Sequence, residues 1–130
     1  MKLVRYVWAF PTTSIGLLLA AMALISNGHL RVIDGVIEVY GGLASFLLKN
    51  CVPIKGGADA MTLGHVVVGR SMRSLEQTRK HERAHVRQCE QWGPAFIPAY
   101  LACGLIEMLR GNDAYHDNYF ERKAAQEEAL

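Results

Sequence analysis

Residues 6–28 carry no charge, whereas Lys2 and Arg5 precede them, and the unbroken apolar run at 15–25 predicts a helix. Pro11-Thr12-Thr13-Ser14 is expected to interrupt this stretch. What remains is nearer the length of a buried helix than the roughly 20 residues that span a bilayer. Three uses fit the segment: a buried or interfacial helix, a membrane anchor, and a signal cleaved near Ala21-Met22-Ala23. Beyond it the pattern changes to short β-branched runs. Residues 30–33 and 36–40 flank Asp34-Gly35, a favoured type I′ pair, and predict a hairpin that Gly41-Gly42 ends. Residues 44–48 read as a short helix or strand, Gly56-Gly57 as a break, and 61–69 as a strand.

From residue 73 the period becomes helical. Ser74 and Gln77 match a capping box, and no proline or glycine occurs from 75 until Gly93-Pro94. At about 100° per residue, Gln77, His81, His85, Gln88 and Trp92 share one face, with Arg79, Arg83, Arg87 and Glu90 opposite. The arginine face is expected to meet water, and its interleaved glutamates argue against a nucleic-acid partner. An apolar run at 95–109 and a last segment at 119–125 complete three helices. The expected architecture is α+β in one domain, 1–130: an apolar segment (1–28), a small antiparallel sheet with a hairpin (29–72), and three helices (73–130).

A chain of 130 residues suits one core and leaves no room for a separate substrate lobe. A net charge of +2 with 20% charged residues is ordinary and argues neither for a polyanion binder nor for a disordered chain. Cys51, Cys89 and Cys103 are odd in number and form no CxxC, so reduced thiols are expected rather than a disulfide framework or a cysteine metal site.

His81-Glu82-Arg83-Ala84-His85 brings in chemistry, because it is an HExxH sequence on a predicted helix. Side chains four apart lie one above the other, so both imidazoles can reach one zinc ion, and Glu82 falls beside it as a general base. Catalytic zinc takes three protein ligands. The metzincin arrangement is excluded, since Gln88 and Gln91 stand where a glycine and a third histidine are required. Glu90 is on the wrong face. Glu107, in the apolar run, fits a ligand or an acceptor for a zinc-bound histidine. Glu121 also fits, and a capping box from Asn118 accounts for the same spacing. Tyr115, His116 and Tyr119, just ahead of Glu121, are candidate oxyanion donors. Residues 64–71, leading into the HExxH helix, suit either an edge strand that pairs with extended substrate or an interior strand with no ligand.

HExxH followed by Glu121-Arg122-Lys123-Ala124 on a later helix resembles the gluzincin metallopeptidases, and the short length is most similar to the minimal members called minigluzincins. The resemblance spans residues 62–125. It implies zinc bound by His81, His85 and Glu121, with Glu82 as general base. Where many gluzincins carry an aspartate, this chain has Ala125. The combination of HExxH, Gln88, Trp92-Gly93-Pro94 and an Asn-x-x-Glu segment is also similar to small bacterial proteins of no established activity. The expectation is a zinc-dependent hydrolase, a peptidase acting on peptides or unfolded proteins. Its alternative is a catalytically silent zinc-bound module, and membrane contact is considered through residues 6–28. A cytoplasmic or membrane-associated location is preferred to secretion.

Overall fold

Asp34 and Gly35 both adopt positive φ, 52° and 77°, as a type I′ turn requires. The chain reverses there between β1 (His29–Ile33) and β2 (Val36–Tyr40), paired from His29↔Tyr40 to Ile33↔Val36. The structure, a computed structural model, describes residues 2–51 and 57–129. Of the expected break at Gly56-Gly57, only Gly57 lies among them. After β2 comes the helix α2 (Gly42–Asn50), which settles the ambiguous 44–48 segment.

The strand expected over 61–69 is a second hairpin, β3 (Ala60–Leu63) and β4 (Val66–Gly69), turned at Gly64-His65. Gly64 has φ 66° and abuts Thr13 so closely that a Cβ would collide with it. The sheet order is β1-β2-β4-β3. Both hairpins are antiparallel, whereas β2 and β4 pair in parallel, Ile37↔Val66 to Tyr40↔Gly69, so the sheet is mixed. Every residue of β4 is buried and the strand lies between β2 and β3, so the strand within 64–71 is interior, and the edge on this side is β3.

Helix α1 (Lys2–Ile25) runs straight through Pro11, correcting the interruption expected at Pro11-Thr12-Thr13-Ser14. An interior proline costs about 3 kcal/mol, and packing offsets it. Thr12 and Thr13 are buried, and the Thr13 hydroxyl donates to the Ala9 carbonyl while accepting from His65 N, each at 3.0 Å. Gly16 allows α1 to close on β4, since a Cβ there would lie 2.6 Å from Val66 Cβ. Ala20 and Ala23 then join Val39, Leu48, Val66 and Val68 in one core cluster.

Three helices follow: α3 (Met72–Trp92), α4 (Phe96–Leu109) after a 3-10 turn at Gly93–Ala95, and α5 (Tyr119–Glu128). Helix α3 begins a turn earlier than the capping-box reading, because Ser71 is the cap and accepts from Ser74 N at 3.1 Å. Its arginine face does not simply meet water. Arg79 and Arg83 converge with Arg31 on Glu38 of β2, which is 1% exposed, at 3.0–3.1 Å. Burial alone would raise the Glu38 carboxyl, but the hydrogen bonds and charges of Arg79 and Arg83 hold it below the usual range. Glu90 likewise turns to His65, at 2.9 Å.

Candidate metal centre

Helices α3 and α5 pack together and bring Glu121 over the two histidines. Glu121 Oε1 lies 2.8 Å from His81 Nε2 and 3.0 Å from His85 Nε2, and the Tyr100 hydroxyl donates to Oε2. One donor atom from each of His81, His85 and Glu121 falls within 4.8 Å of the others.

Glu121 is aimed by its neighbours. Asn118, fully buried, accepts from Phe120 N at 2.9 Å and donates to the Tyr100 carbonyl at 3.0 Å, tying the start of α5 to α4. Phe120 then enters a core with Ala9, Cys89 and Phe96. Asn118 is therefore a helix cap, as the alternative reading of this segment held, yet the Glu121 carboxylate is directed to the histidines and Tyr100.

The outer nitrogens decide which ring atoms carry protons. Gln88 Nε2 donates to the Phe120 carbonyl at 2.9 Å, so its Oε1, 2.8 Å from His85 Nδ1, must accept. His85 thus bears hydrogen on Nδ1 and turns Nε2 to Glu121. On His81, Nδ1 faces Glu128 Oε2 at 3.0 Å, and the carboxylate again demands a donor. Glu128 lies one helical turn beyond Ala125 and contacts the ring from there.

Two Nε2 atoms facing one carboxylate oxygen can both donate only if both rings are imidazolium. The Glu121 hydrogen bond, against the opposing effect of burial, raises His81 to about 9. Burial would lower His85, but Glu121 and Glu82 outweigh it and raise this ring too. Burial would raise Glu121, while His81 and His85 bring it down to about 2. A divalent cation carries the charge of those two Nε2 protons and takes neutral imidazoles and a carboxylate as ligands. This donor set therefore fits zinc.

Glu82, 5% exposed, lies beside these groups with Oε1 2.9 Å from the Thr62 hydroxyl. Burial raises its carboxyl above the usual range, although His85 and Thr62 oppose the shift. A cleft of about 370 Å³ opens here, with Ala60, His81, Glu82, Tyr115, His116 and Glu128 among its walls. Burial raises the Tyr115 phenol, so it stays protonated. Tyr119 is exposed and packs on Phe120, and it is not among the residues lining this cleft.

Glu107 is buried near the end of α4, 3.4 Å from Arg110 and 3.5 Å from Asn112. It stands two turns, about 10 Å along the axis, past Tyr100, and belongs to the helix terminus rather than to the histidine group. Four contributors escaped the sequence reading: Tyr100, Thr62, Glu128 and the orienting role of Gln88. Tyr100 had a signal, since it shares a helical face with buried Phe96, Gly104 and Glu107. Thr62 had none. No protein-family model, characterised protein or solved structure matches this chain, so its chemistry is read from the site itself.

Proposed function

We propose that this protein is a zinc-dependent hydrolase acting on peptide bonds. The convergence of His81, His85 and Glu121 within 4.8 Å carries the reading. The resemblance of HExxH plus Glu121 to the gluzincins supports it. Bound zinc would supply Lewis acidity, polarising an amide carbonyl and lowering the pKa of water toward about 7.

The chain's own groups account for the rest. Glu128 and Gln88 hold the two rings with Nε2 inward. Glu82, its Oε1 held by Thr62, takes a proton from the attacking water and passes it to the departing amine as the C–N bond breaks. A buried, raised carboxyl suits both halves of that transfer. Tyr115 on the cleft wall donates to the developing oxyanion, with His116 as the other donor there. A peptide is favoured over a small ester because β3 is one of the sheet's two edge strands and its Ala60 borders the cleft. An extended backbone can pair along such an edge.

The test is cleavage of an unstructured protein by zinc-loaded chain. Glu82→Gln should reduce turnover by at least about a hundredfold while zinc content stays the same. Equal cleavage by wild type and variant removes Glu82 from the mechanism. Stoichiometric zinc without cleavage across diverse unfolded proteins supports the silent module, a reading favoured by the small cleft.

A further inference from the structure

We propose that α1 and α4 form a surface that lies in the plane of an anionic lipid bilayer. The inference is independent of the metal and of the reaction. Most of the exposed large apolar side chains belong to these two helices. On α1 the exposed stripe runs through Val4, Val7, Ile15, Leu18, Met22 and Ile25, a length of about 32 Å at 1.5 Å per residue. On α4, Leu101, Leu105, Met108 and Leu109 repeat the pattern. Helix α1 is fixed to the turn that leads into α4, where the Trp8 ring seats on Gly93 and its Nε1 donates to the Gln91 carbonyl at 3.1 Å.

The chemistry of this face selects lipid over a second copy of the chain. A coiled-coil seam is narrow and flanked by charged positions. Here the flank of the α1 stripe is Leu3, Phe10, Leu17 and Leu24, seven apart, all exposed and all apolar. Nor does any carboxylate of the two helices face outward: α1 has none, and Glu107 of α4 is 8% exposed. The exposed cations at their ends are Arg5 on α1 and Arg110 just after α4, the latter 68% exposed although 3.4 Å from Glu107, with Asp113 following in the loop. Such a surface matches acyl chains bordered by anionic headgroups.

The helix lies on the bilayer rather than through it. Although α1 is long and apolar enough to cross a membrane, its other face is committed to the fold through Thr13, Gly16, Ala20 and Ala23. A spanning helix would carry the sheet into hydrocarbon with it. In-plane burial covers only the exposed arc.

Flotation of the purified full chain with phosphatidylcholine vesicles, with and without phosphatidylglycerol, tests this. Binding should be about tenfold stronger on the anionic vesicles. Leu18→Glu on α1 and Leu105→Glu on α4 should each reduce it at least about fivefold, with far-ultraviolet circular dichroism and melting unchanged because both sites are exposed. No flotation on either vesicle overturns the proposal, as does binding that survives both substitutions. Equal binding to neutral vesicles overturns the anionic partner. A soluble dimer that Leu18→Glu dissociates assigns the face to a second copy instead.

Discussion

Glu128 accepts from His81 Nδ1 at 3.0 Å, seven residues beyond the glutamate that faces the same ring's Nε2. A second carboxylate of α5 thus holds the outer nitrogen of the ring whose inner nitrogen faces Glu121. Because the carboxylate of Glu128 is 44% exposed, its grip on the ring is partly screened. Glu128→Gln should weaken zinc affinity by about tenfold, the lower end for partners of a zinc histidine. Competition with a chromogenic chelator measures this, and an unchanged affinity would free His81 from its dependence on Glu128.

Gln88 has two duties, donating to the Phe120 carbonyl and accepting from His85 Nδ1. Gln88→Ala leaves the buried His85 Nδ1 without its acceptor and removes the tie to the Phe120 carbonyl, so it should destabilise the fold by about 1–3 kcal/mol and weaken zinc binding as well. Urea melts and chelator competition separate the two losses. Gln88→Glu keeps the acceptor but cannot donate to Phe120, so it should retain more zinc affinity than Gln88→Ala.

The hairpin at Asp34-Gly35 and the end of α3 at Gly93 were legible because each needs backbone that few residues supply. His81 and His85 were legible because helical period alone places them together. Pro11 misled, since the loss of one helical hydrogen bond is local and visible, whereas the fit of Gly16 on Val66 is tertiary. The arginine face misled for the same reason: only pairing of β2 with its neighbours places Glu38 under Arg79 and Arg83. The choice between Glu107 and Glu121 likewise depended on how α4 and α5 dock, which no spacing within one helix encodes. Glu128 was hidden because its role is set by the distance between helices.

Glu38→Gln should expose the cost of the arginine cluster. Removing the one carboxylate shared by three guanidiniums breaks a buried ion-pair group and should destabilise the protein by about 3 kcal/mol at pH 7. The folded-state carboxyl is held below its ordinary 4.5, so its contribution is present above that value and is lost as pH falls further. The gap between wild type and variant in denaturant melts should therefore narrow on acidification below pH 4.5. A constant gap would assign the loss to packing.

Metal binding should release protons. In the metal-free protein His81 is raised from 6.5 to about 9, so its ion pair with Glu121 is fully present below pH 6.5 and lost as pH rises through 9. Glu121, lowered from 4.5 to about 2, contributes above pH 4.5 and loses that contribution as pH falls toward 2. The pair thus stabilises the metal-free fold most between pH 4.5 and 6.5. Bound zinc would replace the Nε2 protons, so affinity should climb with pH up to about 9, with about one proton released from His81 per ion at pH 7 and a further contribution from the raised His85 ring. Calorimetry in buffers of different ionisation enthalpy counts them, and no release would contradict the imidazolium state inferred for the metal-free rings.

The most direct measurement is metal content of the purified intact protein by elemental mass spectrometry, for wild type, Glu121→Gln and Glu107→Gln side by side. The account predicts one zinc per chain in wild type and Glu107→Gln, and its loss in Glu121→Gln. Zinc lost only in Glu107→Gln, or a wild type that takes up none when zinc is supplied, would contradict it.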